Sequence, residues 1–104
     1  DPRNAFIMYD LLKEVIKNGT ARKAKTLKRP DIAGKTGTTN DLMDAWFAGF
    51  NSDIVTVTWM GFDQPKSLGN KETGSRAALP IWIDYMRPLL NDYPIKNLVK
   101  PEGI

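Results

Sequence analysis

The chain contains the stretch Ile32-Ala33-Gly34-Lys35-Thr36-Gly37-Thr38-Thr39, the first of three β-type runs that together decide its fold. The second run is Asp44 to Phe50, and the third is Ile54 to Phe62. Only Asn40 to Met43 joins the first two runs, and only Asn51 to Asp53 joins the last two. Connections this short link antiparallel neighbours, so the sequence predicts a three-strand antiparallel meander.

A helix is predicted before the first strand. Asp1 and Pro2 supply an N-cap and a first-turn residue. Apolar residues then recur at helical spacing, and they are Met8, Leu11, Leu12, Val15 and Ile16. The helix is expected to end at Asn18-Gly19, because glycine readily takes the left-handed conformation that terminates helices.

A second helix is predicted after the polar loop Asp63 to Thr73. Its apolar stripe consists of Ala78, Ile81, Trp82, Tyr85, Met86 and Leu89. The fold class is therefore α+β, an antiparallel three-strand meander flanked by helices. We expect residues 1–90 to form one compact unit and residues 91–104, which are polar and dotted with proline, to form an irregular tail. The tryptophans are expected to pack between sheet and helices.

Composition excludes several classes of protein. The chain has 104 residues, of which 41% are hydrophobic, and that content argues against disorder. Its longest apolar runs are far shorter than a membrane span. It contains neither histidine nor cysteine, so disulfides and thiol nucleophiles are excluded, and neither a metal site nor a cofactor is expected.

A basic cluster lies between the first helix and the first strand. It consists of Arg22, Lys23, Lys25, Lys28 and Arg29. One interpretation is a nucleic-acid-binding module, but the cluster has no aromatic residue to stack on a base. We favour a solvated connector. A third interpretation is a structural module whose exposed sheet edge binds a partner strand.

The segment Gly34-Lys35-Thr36 resembles the end of a phosphate-binding P-loop, but the spacing excludes that function. A P-loop has a second glycine five residues before this one, and Arg29 occupies that position. A P-loop also opens a helix, whereas Thr36 is followed by more strand.

The first β-type run has the chemistry to bind a peptide carboxylate. Its backbone N–H groups can pair with an extended peptide if it lies at a sheet edge, and Gly37 has no side chain to block the approach. Lys35 supplies a positive charge, and Thr36 and Thr38 supply hydroxyl donors. Taken singly, the threonines also suit any strand, and a lysine suits any exposed edge.

The surrounding sequence favours the peptide-binding interpretation. Lys35-Thr36-Gly37 resembles the third motif of the serine acyltransferases that bind penicillin. It is followed by Asp44-Ala45-Trp46-Phe47-Ala48-Gly49-Phe50 and Val57-Thr58-Trp59-Met60-Gly61-Phe62-Asp63, and later by Ala77-Ala78-Leu79-Pro80-Ile81-Trp82. Residues 3–90 together resemble the C-terminal third of the transpeptidase domain of class A penicillin-binding proteins, most like the 1A kind of Gram-negative bacteria.

The resemblance implies a D,D-transpeptidase that cross-links peptidoglycan stem peptides through a serine acyl-enzyme and is acylated by β-lactams. It assigns catalytic roles to Lys35 and to Thr38, whose backbone N–H would form half of an oxyanion hole. It assigns substrate binding to Thr36, Gly37, Thr38 and Thr39. The expected ligands are a stem peptide or a β-lactam, and no nucleic acid.

Two motifs of the family are absent from the chain. None of Ser52, Ser67 and Ser75 begins a Ser-x-x-Lys or Ser-x-Asn pattern, so the chain alone is expected to be inactive. The resemblance implies a companion chain carrying the N-terminal part of the same domain, which completes a five-stranded sheet. It also implies a whole protein at the periplasmic face of the inner membrane, with a membrane anchor and a glycosyltransferase domain elsewhere and no membrane contact by this segment.

Overall fold

The three predicted β-type runs form one antiparallel sheet in the order β1-β2-β3 in the computed structural model, which describes residues 1–96 and 98–104. The elements are α1 (Pro2–Lys17), β1 (Ala33–Thr38), β2 (Asp44–Phe50), β3 (Val55–Gly61) and α2 (Leu79–Leu90). The predicted α+β meander flanked by helices is therefore confirmed. The predicted runs extend one residue further than β1 and β3 at each end.

The register of the strands sorts the side chains onto two faces. Directly opposite residues share a face, and the register pairs Lys35 with Ala48, Gly37 with Trp46, and Trp46 with Trp59. We call this the open face; its exposed members are Lys35, Trp46, Ala48, Val55, Val57 and Trp59. The opposite, covered face includes Thr36, Thr38, Phe47, Gly49 and Thr56, and it supports α2.

Trp82 anchors α2 to the covered face. Its ring meets Phe47 edge to face, with 4.9 Å between ring centroids, and its indole N–H donates to the carbonyl oxygen of Thr56 at 3.0 Å. Gly49 lies directly beneath it, because a Cβ there would come within 2.4 Å of the Trp82 ring. Trp82 thus packs between sheet and helix as predicted. Trp46 and Trp59 instead contact each other on the open face.

Helix α1 packs along β1 and has the predicted start and end. The Asp1 carboxylate accepts from the Arg3 backbone N–H at 2.9 Å, and Asn18 is the C-terminal cap. The predicted left-handed glycine is wrong, since the φ of Gly19 is not positive. Glycine is needed there for space: a Cβ would lie 2.9 Å from the Cα of Val15. Among the described residues, no helix is long and apolar enough to cross a membrane.

The connectors have short regular turns of their own. Arg22–Leu27 forms a 3-10 turn, and Gly74–Ala78 forms a π-helical turn that leads directly into α2. Pro80 lies in the first turn of α2, where it is tolerated. After α2, the described residues 91–96 and 98–104 form no helix or strand. Asn97, which the predicted tail includes, lies outside the described residues.

Arg29 is not part of a solvated connector, and this corrects the sequence-based interpretation. Its guanidinium donates from Nε and Nη2 to the two carboxylate oxygens of Asp31, both at 2.9 Å. The Asp31 side chain is 0% exposed and that of Arg29 is 10% exposed. The Tyr9 hydroxyl donates to the backbone carbonyl of Asp31. A buried ion pair therefore sits where α1 meets the start of β1.

Stability is expected to fall at alkaline pH through Tyr9. Burial raises the pKa of its phenol above the ordinary value of 10.0, and the Asp31 carboxylate raises it further. As pH rises, the unfolded chain therefore loses this proton before the folded chain does. The contribution of Tyr9 to the free energy of unfolding is intact below pH 10.0 and disappears as pH rises through the higher pKa of the folded state. Urea titrations across this range should give a shallower pH slope for Tyr9→Phe than for wild type. Equal slopes would contradict the prediction.

Candidate active site: the β1 edge

The backbone of β1 presents alternate residues to the free edge of the sheet. The Thr39 N–H donates to the Asp44 carbonyl at 3.1 Å, so the backbone of Thr39 faces β2 in the antiparallel ladder. By the register, Gly37 and Lys35 bond to β2 in the same way. The N–H and C=O groups of Thr36 and Thr38 therefore point away from β2, and no strand among the described residues pairs with them.

The side chains of the ribbon Lys35–Thr39 lie on both faces of β1. Lys35 is exposed on the open face, and its ammonium bends over the edge to donate to the Thr36 carbonyl at 3.1 Å. Thr36 and Thr38 are on the covered face. The lysine charge and the threonine hydroxyls therefore flank the same outward-facing backbone from opposite sides.

The hydroxyls of the ribbon are already engaged in part. The hydroxyls of Thr36 and Thr20 form a hydrogen bond at 2.9 Å. The Thr38 hydroxyl oxygen accepts from the Gly74 N–H at 2.9 Å, which leaves its proton available to another acceptor. The Thr39 hydroxyl oxygen accepts from the Asp44 N–H at 2.9 Å and so closes the β1–β2 connection.

Gly74 is a functional candidate that the sequence analysis missed. An added Cβ would lie 2.5 Å from the carbonyl oxygen of Trp46 and 2.7 Å from that of Gly37, so only glycine allows the π-helical turn to rest on the ribbon. The only local signal is a glycine between Thr73 and Ser75, directly after the predicted polar loop. Nothing local indicates that this glycine touches Gly37, because 36 residues separate Gly74 from its bonded partner Thr38.

Gly74→Ala is expected to destabilise the fold by about 1–3 kcal/mol, as overpacking does at a site that cannot relax. The atoms in the way are backbone carbonyls of two paired strands, which a side-chain rotation cannot clear. Chemical denaturation would measure the loss. Ser75→Ala is the matched control, since it changes the next residue without adding volume. Equal stability of the Gly74 variant and the control would contradict the packing argument.

The ribbon is an exposed wall in this chain. A cavity of about 440 Å³ lies between α1 and the connector that precedes β1, and none of the residues Lys35–Thr39 lines it. Lys35, Thr38 and Thr39 are exposed, and Thr36 and Gly37 are half-buried. The predicted site residues therefore lie together on one accessible edge.

Comparison with known proteins places this edge in a family. Penicillin-binding protein 1A of Pseudomonas aeruginosa is 57% identical over 104 residues, which is 100% of the chain. The protein of that name from Neisseria gonorrhoeae is 55% identical over the same length. The chain belongs to the penicillin-binding protein 1A family. No family model matches the chain.

The fold agrees with this family. A crystal structure of penicillin-binding protein 1A from Haemophilus influenzae matches 96% of the chain with a TM-score of 0.90 and 39% sequence identity. The chain corresponds to 16% of that structure and spans 13% of the length of the Pseudomonas relative. The chain therefore corresponds to only a small part of these relatives.

Proposed function

We propose that the chain supplies the Lys-Thr-Gly wall of the D,D-transpeptidase site of a penicillin-binding protein 1A. The observation that carries the proposal is the outward-facing backbone of Thr36 and Thr38 beside the exposed Lys35, in a chain 57% identical to a penicillin-binding protein 1A. An edge strand of this kind can accept an extended peptide as an additional strand.

Each residue of the ribbon has a role in this proposal. The backbone N–H of Thr38 points outward, so it can donate to the oxyanion that forms on the attacked carbonyl. The Thr38 hydroxyl has a free proton for the substrate carboxylate, and Thr36 is its neighbour on the same face. Gly37 leaves the approach open. Thr39 contributes through the connection it closes with Asp44.

Lys35 supplies charge at the edge. Its ammonium is near the Thr36 carbonyl, and the side chain has the length to turn from there towards a bound carboxylate. A fixed positive charge beside the reacting groups stabilises the substrate carboxylate and favours loss of a proton from a neighbouring hydroxyl nucleophile.

The nucleophile would come from the rest of the protein. Its serine hydroxyl would lose a proton as its oxygen forms an ester bond to the carbonyl carbon of the penultimate D-Ala; the C–N bond to the terminal D-Ala would break, and the departing amine would take up that proton. An amine of a neighbouring stem peptide then attacks the ester and releases the serine. A β-lactam would stop at the ester, because its leaving amine stays tethered.

The open face and the edge of β3 support the existence of such a companion part. Val55 is 74% exposed, and Val57, Trp46 and Trp59 are also exposed, which is an unusual amount of apolar surface for one small sheet. By the same ladder alternation, the backbone groups of Val55 and Val57 point away from β2. We propose that the N-terminal part of the transpeptidase domain covers this face and extends the sheet.

From the similarity to penicillin-binding proteins 1A, we propose that the whole protein lies at the periplasmic face of the inner membrane and has a glycosyltransferase domain outside this chain. The nucleic-acid alternative is not favoured, since the relatives are penicillin-binding proteins. In addition, Arg29 of the basic cluster forms a buried ion pair with Asp31 and is not available to a nucleic acid.

Fluorescent penicillin tests the proposal. The whole protein that contains this chain and the isolated 104-residue chain are each incubated with the reagent and resolved by denaturing electrophoresis. We expect covalent label on the whole protein and none on the isolated chain. An unlabelled whole protein would refute the transpeptidase assignment, and a labelled isolated chain would refute the claim that the nucleophile lies elsewhere.

A further inference from the structure

The buried pair Arg29–Asp31 stands at the base of the strand that carries the ribbon. Asp31 precedes β1 by two residues, and at about 3.3 Å per residue it lies about 13 Å from Lys35 along the strand. The pair is bidentate, with both contacts at 2.9 Å. A planar fork that holds a carboxylate by two parallel bonds fixes orientation as well as distance.

The remaining donors and acceptors of the pair are satisfied by the segment at the end of α2. Arg29 Nη1 donates to the carbonyl oxygens of Leu90, at 3.1 Å, and Tyr93, at 2.7 Å. The backbone N–H of Lys96 donates to the second carboxylate oxygen of Asp31 at 3.2 Å. The guanidinium thus caps the carbonyl end of α2, where positive charge is favoured. Residues 90–96 are in this way fastened to the start of β1.

The strand has little freedom between this pair and the ribbon. Ile32 and Ala33 are buried, and Gly34 is pressed against β2, since a Cβ there would lie 2.6 Å from the Phe47 ring and 2.7 Å from the Ala48 carbonyl oxygen. A close-packed segment transmits a displacement at its base instead of absorbing it. A change in the position of Asp31 would therefore move the backbone of the ribbon.

We propose that Arg29 is a positioning residue for the acyl transfer: with Asp31 and residues 90–96, it sets the place of the Lys35–Thr38 backbone at the reacting carbonyl. The inference rests on the proposed function and extends it to a segment beyond α2 that the sequence suggests is a mere tail. A displacement of about 1 Å at reacting groups costs about a hundredfold in rate, so even a partial shift is measurable.

The experiment measures the second-order rate constant for acylation of the whole protein by fluorescent penicillin, per folded molecule and well below the melting temperature. Arg29→Lys keeps the charge and loses the fork, and we expect it to slow acylation about tenfold. Lys96→Pro removes the backbone N–H that donates a hydrogen bond to Asp31, and we expect it to slow acylation as well. The matched control is Lys96→Ala, which keeps that N–H.

A purely structural role predicts a different pattern. Ile83→Ala, at a buried position of α2 and not among the partners of the pair given above, should lower the melting temperature without changing the acylation rate. If Arg29→Lys behaves like Ile83→Ala, the inference is overturned while the proposed function stands. If Arg29→Lys does not fold, the comparison of Lys96→Pro with Lys96→Ala decides, and equal rates overturn it. An unlabelled wild type would overturn both this inference and the proposed function.

Discussion

Replacing Lys35 by alanine in the whole protein is expected to slow covalent labelling by fluorescent penicillin by about 10²- to 10⁴-fold, the usual range for loss of a group that assists proton transfer. The side chain is exposed on the open face, and within the described part of the chain its ammonium makes one hydrogen bond, to the neighbouring carbonyl of Thr36. The fold does not depend on that contact, so melting temperature should stay close to the wild-type value.

The matched control for this prediction is Lys28→Ala, which removes the same charge from the connector before β1, outside the ribbon. Its labelling rate should equal that of wild type. Lys35→Arg separates charge from shape, since it keeps a cation but replaces the compact ammonium with a planar fork, and we expect intermediate labelling. Wild-type labelling by Lys35→Ala would show that the ribbon is only a strand edge.

Arg29→Ala is expected to lower the free energy of unfolding by about 3–5 kcal/mol, because it leaves the Asp31 carboxylate buried without its countercharge. Asp31 is 0% exposed, so water cannot replace the guanidinium without rearrangement. The carbonyls of Leu90 and Tyr93 lose their donor in the same step. Urea denaturation would measure the change.

A double variant separates the charge effect from the loss of packing. Arg29→Met with Asp31→Leu removes both charges and keeps most of the volume, and exchanges of this kind are often neutral. We expect the double variant to be more stable than Arg29→Ala. A control at an exposed pair, Lys96→Ala, should change stability by less than about 1 kcal/mol. If Arg29→Ala costs no more than this control, the pair is not the anchor described above.

Most of the fold could be predicted because its signals are local. The strands are set by runs of β-type residues and the helices by caps and periodicity, all within a few residues. Gly19 is one exception. A glycine after a helix was expected to serve its backbone conformation, but the constraint is space beside Val15, which only the three-dimensional structure reveals.

The site was predictable only as far as its motif extends. The ribbon was identified from Lys35-Thr36-Gly37 and its flanking sequence. The contacts that support it come from distant segments: Gly74 lies against the Gly37 backbone, and Arg29 binds carbonyls more than 60 residues away. No pattern in a single sequence distinguishes an arginine that will be buried beside Asp31 from the solvated lysines next to it.

The exposed β3 edge and the tryptophan-bearing face beside it have a practical consequence. If the proposed companion part continues the sheet from β3, the boundary between the two pieces runs through a β-sheet, and the pieces become candidates for fragment complementation, as in split reporters. Produced separately, this chain should tend to aggregate and should bind dyes that report apolar surface. Mixed with the complementary piece, it should lose that signal, and the recovery of penicillin-reactive protein would give a direct measure of how well the two pieces reassemble.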